Sequence, residues 1–98
     1  MAVYNLIKSA DSSSVTILNN GIEVSLYTDV FDTGTDIHGW GGWKGSPDQI
    51  AFALCYDYTK DLEKSKAAYP TLAQLIINAA PFELNISTGS IDFALSQI

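Results

Sequence analysis

The sequence predicts an α+β domain. Apolar and polar residues alternate with period two early in the chain, apolar residues recur at helical spacing later, and strands precede helices instead of alternating with them. At 98 residues there is room for one domain, and 47% hydrophobic against 16% charged residues supplies a modest core.

Residues 2–8 and 14–18 are rich in β-branched and aromatic side chains and flank the polar turn Ala10-Asp11-Ser12-Ser13, which predicts a hairpin. Asn19-Asn20-Gly21 tolerates positive φ, and Ile22 to Thr28 alternates, predicting a third antiparallel strand. In that strand Ile22, Val24 and Leu26 would face the core, with Glu23, Ser25 and Tyr27 on the wet side. No period holds from Asp29 to Gly45, which contains five of the seven glycines, both tryptophans and the single histidine. Ser46-Pro47-Asp48-Gln49 then stacks helix-start signals: serine as N-cap, proline at the first helical position, an early acid, and glutamine placed to close a capping box.

The helix to about Thr59 is apolar on nearly every side from Ile50 to Tyr56, so it is expected to be the buried central helix. Lys60 to Lys66 reads as a solvated turn or as the exposed start of a second helix. Ala67, Ala68, Leu72, Leu75, Ile76 and Ala79 continue at helical spacing, with Pro70 either beginning the regular part or kinking it, and Pro81 stopping it. A short strand over Phe82 to Ile86 and a terminal helix over Thr88 to Gln97, with Ile91, Ala94 and Leu95 on one side, complete the fold.

Eleven acidic residues against five lysines and no arginine give a net charge of -6 and a pI near 4.3, which disfavours direct nucleic-acid binding. A lone Cys55 forms no intramolecular disulfide and no multi-cysteine metal site, and the cytoplasm is the expected compartment. No stretch approaches a membrane-spanning apolar run, and because Met1-Ala2-Val3-Tyr4-Asn5 lacks the basic and apolar regions of a signal peptide, none is expected.

The segment Gly39-Trp40-Gly41-Gly42-Trp43-Lys44-Gly45-Ser46-Pro47 runs into a helix N-terminus, a place that favours anions. Gly41, Gly42, Lys44, Gly45 and Ser46 are the residues such a ligand loop would use. The spacing is not that of a phosphate-binding P-loop, and the plainer reading is a loop whose tryptophans cap the core.

Trp40-Gly41-Gly42-Trp43-Lys44-Gly45-Ser46-Pro47, followed by Gln49-Ile50-Ala51-Phe52-Ala53-Leu54 and Asp57, resembles a family of short bacterial and phage proteins. This is a domain of unknown function with an aromatic and glycine-rich loop leading into an S-G-P-x-Q-L-A-x-A-L type helix. Tyr69, Leu72, Ile76, Ile77, Pro81, Phe82 and Leu84 extend the likeness; Lys44, the missing glycine between Ser46 and Pro47, and phenylalanine in place of tryptophan depart from it. The resemblance implies no known enzyme activity, the family's own function being unknown, and suggests a mobile-element setting. By analogy, small acidic phage proteins counter host defences by binding a host protein or by occupying its nucleic-acid channel as a charge mimic.

Asp29, Asp32, Asp36 and His38 do not have EF-hand spacing and read as solvated turn-formers, so neither a metal nor a cofactor is expected. Cys55 lies in a buried helix away from any activating cation, and no G-x-S-x-G elbow is present; no catalytic residue is assigned. Asp57, Asp61 and Glu63 with Lys60, Lys64 and Lys66 read as a mixed-sign exposed turn.

Asp11, Glu23, Asp29, Asp32 and Asp36 lie in the β half and its adjoining loop while three of the five lysines fall in residues 60–66, an asymmetry suited to a partner with a basic surface. Glu23, Tyr27, Asp29, Asp32, Asp36, Trp40 and Trp43 are the candidate partner-binding residues, the aromatics being either an exposed patch or the lid of the core. The leading expectation is a small non-enzymatic binding protein that inhibits a host defence complex. The alternatives are a nucleotide or small-molecule binder using the glycine loop and an accessory phage structural component, and a homo-oligomer stays open.

Overall fold

A computed structural model of the protein describes residues 3–8, 15–34, 46–77 and 83–98. The α+β architecture is as the sequence predicts: strands β1 (Val3–Lys8), β2 (Val15–Asn19) and β3 (Ile22–Val24), helices α1 (Asp48–Thr59) and α2 (Leu62–Ile77), strand β4 (Glu83–Ser87) and helix α3 (Thr88–Ser96). The sheet order is β3-β2-β1-β4 with every neighbouring pair antiparallel, so the meander is extended by β4 on the far side of β1. The expected turn at Ala10 to Ser13, and the positions Ala79, Pro81 and Phe82, lie outside the described residues.

Register explains which face is buried. Tyr4 lies opposite Ile86, Leu6 opposite Ile17 and Ile17 opposite Val24, and all five residues are buried. The pleat puts them on one face, where they share a core with Ile50, Ala51, Ala53, Leu54 and Cys55 of α1, with Ala68, Leu72, Ala73 and Ile76 of α2, and with Ile91 and Ala94 of α3. Residues 49–55 of α1 are buried without a break, the central position that its all-round apolar sequence predicts. Among the described residues no helix is long and apolar enough to cross a membrane.

The third strand is shorter than expected. It ends at Val24, and the left-handed conformation of Tyr27 (φ 56°) bars the expected continuation to Thr28. Val24 is buried and Leu26 half-buried, but Ile22, at the turn, is 72% exposed. The start of α1 is also displaced by one residue from the expected cap: Pro47, not Ser46, holds the N-cap position, and its carbonyl accepts from the Ala51 amide at 2.8 Å. Ser46 still contributes, its Oγ accepting from the Asp48 amide at 3.2 Å.

Lys60 (φ 55°) ends α1, its amide donating to the Tyr56 carbonyl at 2.7 Å. Asp61 caps α2, Oδ1 accepting from the Lys64 amide at 3.1 Å, and the buried Ser65 hydroxyl donates to the Asp61 carbonyl at 2.7 Å. The charged run is therefore the exposed start of α2, with Pro70 inside the helix and not at its beginning.

Candidate functional site

The segment after β3, residues 25–34, presents Asp29 and Asp32 on the surface. It is irregular, so its backbone groups need partners outside a ladder. The main one is Gln49, fully buried at the second position of α1. Its Nε2 donates to the Leu26 carbonyl at 2.7 Å and the Phe31 carbonyl at 3.0 Å, while Oε1 accepts from the Thr33 amide at 2.9 Å and the Thr33 hydroxyl at 3.1 Å. One side-chain amide thus uses both donors and its acceptor to substitute for a strand partner. This overturns the capping-box expectation for Gln49: its amide reaches across to the loop and not back along its own helix.

The segment closes on itself as well. The Tyr27 carbonyl accepts from the amides of Val30 and Phe31 at 3.0 and 3.1 Å, Ser25 Oγ accepts from the Tyr27 amide at 2.9 Å, and Asp32 Oδ1 accepts from the Gly34 amide at 2.8 Å. Its aromatic rings lie against the helices. Tyr27 meets Tyr56 edge-on with centroids 4.9 Å apart, and Phe31 lies 5.1 Å from Phe52 and 6.0 Å from Tyr69.

At the other end of α1, Asp57 joins three parts of the fold. Oδ2 accepts from the Tyr4 hydroxyl of β1 at 2.8 Å, Oδ1 accepts from the Tyr27 hydroxyl at 2.8 Å, and Lys60 Nζ forms an ion pair with Oδ1 at 3.3 Å. Burial alone would push the Asp57 carboxyl up, but the hydrogen bonds from Tyr4 and Tyr27 and the Lys60 charge outweigh it and hold the group below its ordinary value. Burial and the adjoining carboxylate raise the Tyr4 phenol, and burial is the largest cause raising that of Tyr27. The hydrogen bond to Tyr27, with the Asp57 charge, raises the Lys60 ammonium. Asp57 is thus a structural hub and not a member of a solvated run, as its sequence setting had suggested. Cys55, two residues earlier, is buried and its thiol is pushed up to about 12 by burial, which leaves it unreactive.

Of the candidate partner-binding residues, Glu23, Asp29 and Asp32 are exposed on β3 and the adjoining segment. Tyr27 is half-buried and committed to Asp57 and Tyr56, so it anchors the segment. Asp36, Trp40 and Trp43, and with them His38, Gly41, Gly42, Lys44 and Gly45 of the glycine loop, lie outside the described residues. Ser46 is half-buried with its hydroxyl bound to the Asp48 amide, and Asp48 sets a negative charge in the first turn of α1, which works against an anion there.

Basic side chains also reach the acid-bearing segment. Lys60 Nζ lies 5.3 Å from the centre of the Tyr27 ring and Lys66 Nζ 5.4 Å from that of Phe31, so two lysines flank the acid-bearing segment. Gln49, Asp57 and the flanking lysines escaped sequence reasoning because their partners are distant in sequence, 53 residues in the case of Tyr4 and Asp57. Compared with protein-family models, curated proteins and solved structures, the chain matches none.

Proposed function

We propose that the protein is a small acidic binding protein without catalytic activity, acting in the cytoplasm by protein–protein contact on a partner with a basic surface. On the resemblance of residues 40–57 to short bacterial and phage proteins, that partner is a component of a host defence complex. The observation that carries the reading is the pinning of residues 26–33 to α1 by Gln49 while Asp29 and Asp32 remain on the surface, with Glu23 exposed on the neighbouring strand. A segment held in one conformation before binding loses little entropy on association, and its carboxylates add attraction toward a basic surface.

The test is an affinity capture from a bacterial host lysate at low and moderate salt, with mass spectrometry as readout. A stoichiometric partner that weakens with salt is expected, and it should be lost from a variant carrying Asp29→Lys, Asp32→Lys and Asp36→Lys. Capture of the same partner by that variant at undiminished yield would refute the proposal.

A further inference from the structure

The connection between β2 and β3 is a two-residue loop, Asn20-Gly21, closed by the pairing of Asn19 with Ile22. Both central residues have positive φ, 54° and 79°, the pattern of a type I′ hairpin turn. Asn20 and Gly21 are exposed, and a Cβ built on Gly21 would meet nothing within 4 Å. An asparagine side-chain amide is thus followed directly by a glycine that carries no side chain of its own, on an exposed turn with open space around the Gly21 Cα.

We propose that Asn20-Gly21 is a site of spontaneous deamidation in the folded protein. The Gly21 backbone nitrogen gives up its proton to solvent and bonds to Cγ of Asn20. The bond from Cγ to the amide nitrogen Nδ2 then breaks, and ammonia leaves with a proton taken from water. Hydrolysis of the resulting cyclic imide adds one water. Opening at Cγ yields aspartate, and opening at the backbone carbonyl of residue 20 yields isoaspartate. No electrons are transferred, and water is the only co-reactant.

The structure sets Asn20 apart from the other described asparagines. Asn5 donates its amide to Asn85 Oδ1, and in the sequence these two precede Leu6 and Ile86, whose side chains crowd the following nitrogen. Asn19 precedes Asn20, and its Oδ1 is buried. The two products at position 20 differ in effect. Aspartate tolerates the left-handed conformation and adds one negative charge beside β3. Isoaspartate routes the backbone through an extra methylene, which a two-residue type I′ loop cannot absorb, so the pairings of Asn19 with Ile22 and Leu18 with Glu23 loosen.

The experiment incubates the full-length protein at mildly alkaline pH, native and in urea, and follows the peptide running from after Lys8 to Lys44 by mass spectrometry. The expected result is a gain of one mass unit localised to Asn20 in the native sample. Part of that product should accept a methyl group from an isoaspartyl methyltransferase, and the Asn20→Asp variant should show no such gain. Conversion only in urea, or a gain that maps to another asparagine, would overturn the proposal.

Discussion

Both ends of α1 hold the segment that follows β3, and they do so by different chemistry. At the helix start, Gln49 is neutral, fully buried and bonded mainly to backbone groups; at its end, Asp57 is charged, partly exposed and bonded to side-chain hydroxyls and a lysine. An amide that satisfies buried carbonyls is indifferent to pH and salt, and its loss strands those carbonyls. A carboxylate shared by two phenols and an ammonium responds to both. The first end fixes the path of the backbone, while the second adjusts how firmly that path is held.

The sharpest way to break the comparison is Gln49→Leu, which keeps volume but removes the donor that the Leu26 and Phe31 carbonyls share. A loss of about 3 kcal/mol in urea unfolding is expected. It should be accompanied by faster amide exchange in residues 26–34, and an unchanged exchange pattern would show that the amide is not what holds the segment. Asp57→Asn should cost less, about 1–2 kcal/mol, since the shape remains and only the charge-assisted part of the bonding is lost.

The pH dependence separates the two ends further. Folding lowers the Asp57 carboxyl from 3.8, so its contribution is complete above that value and disappears as the pH falls below it. Wild type should therefore lose stability in acid more steeply than Asp57→Asn. The Gln49→Leu variant should keep the wild-type slope. Tyr4 and Tyr27 titrate in the opposite sense: their raised phenols contribute fully below 10.0 and lose that contribution as the pH climbs past it.

Tyr27→Phe removes one hydroxyl while keeping the ring against Tyr56, and about 1 kcal/mol is expected. Lys60→Gly should be smallest, within about 0.5 kcal/mol of wild type. Glycine suits the left-handed end of α1, and what is given up is an exposed ion pair of little value. A larger loss would mean that Lys60 acts mainly through its place over the Tyr27 ring.

Much of the fold was legible because it rests on local pattern. The runs rich in β-branched and aromatic residues gave β1 and β2, the all-apolar stretch gave α1, and Ile91, Ala94 and Leu95 gave the inner side of α3. The reading of β3 as far as Thr28 failed because the alternation of Leu26 and Tyr27 is real in the sequence but overridden in space: Gln49 takes the Leu26 carbonyl, and Asp57 with Tyr56 takes the Tyr27 side chain. Gln49 itself was misread because a glutamine three residues after a serine fits a cap as well as it fits a clamp. For Asp57 the only local sign was Lys60 three residues on, since its tyrosine partners come from β1 and the segment after β3.

The position of β1 has a consequence for how the molecule assembles. Its pairing with β2 is local, but the opposite edge waits for β4, with Val3 opposite Ser87 and Ile7 opposite Glu83. During synthesis, therefore, one side of β1 stays an open edge until α1, α2 and β4 have all been made. Sealing it requires closure of a loop that spans α1 and α2, a late and comparatively slow step. Until then the nascent protein offers other polypeptides an unpaired strand that the folded form withholds.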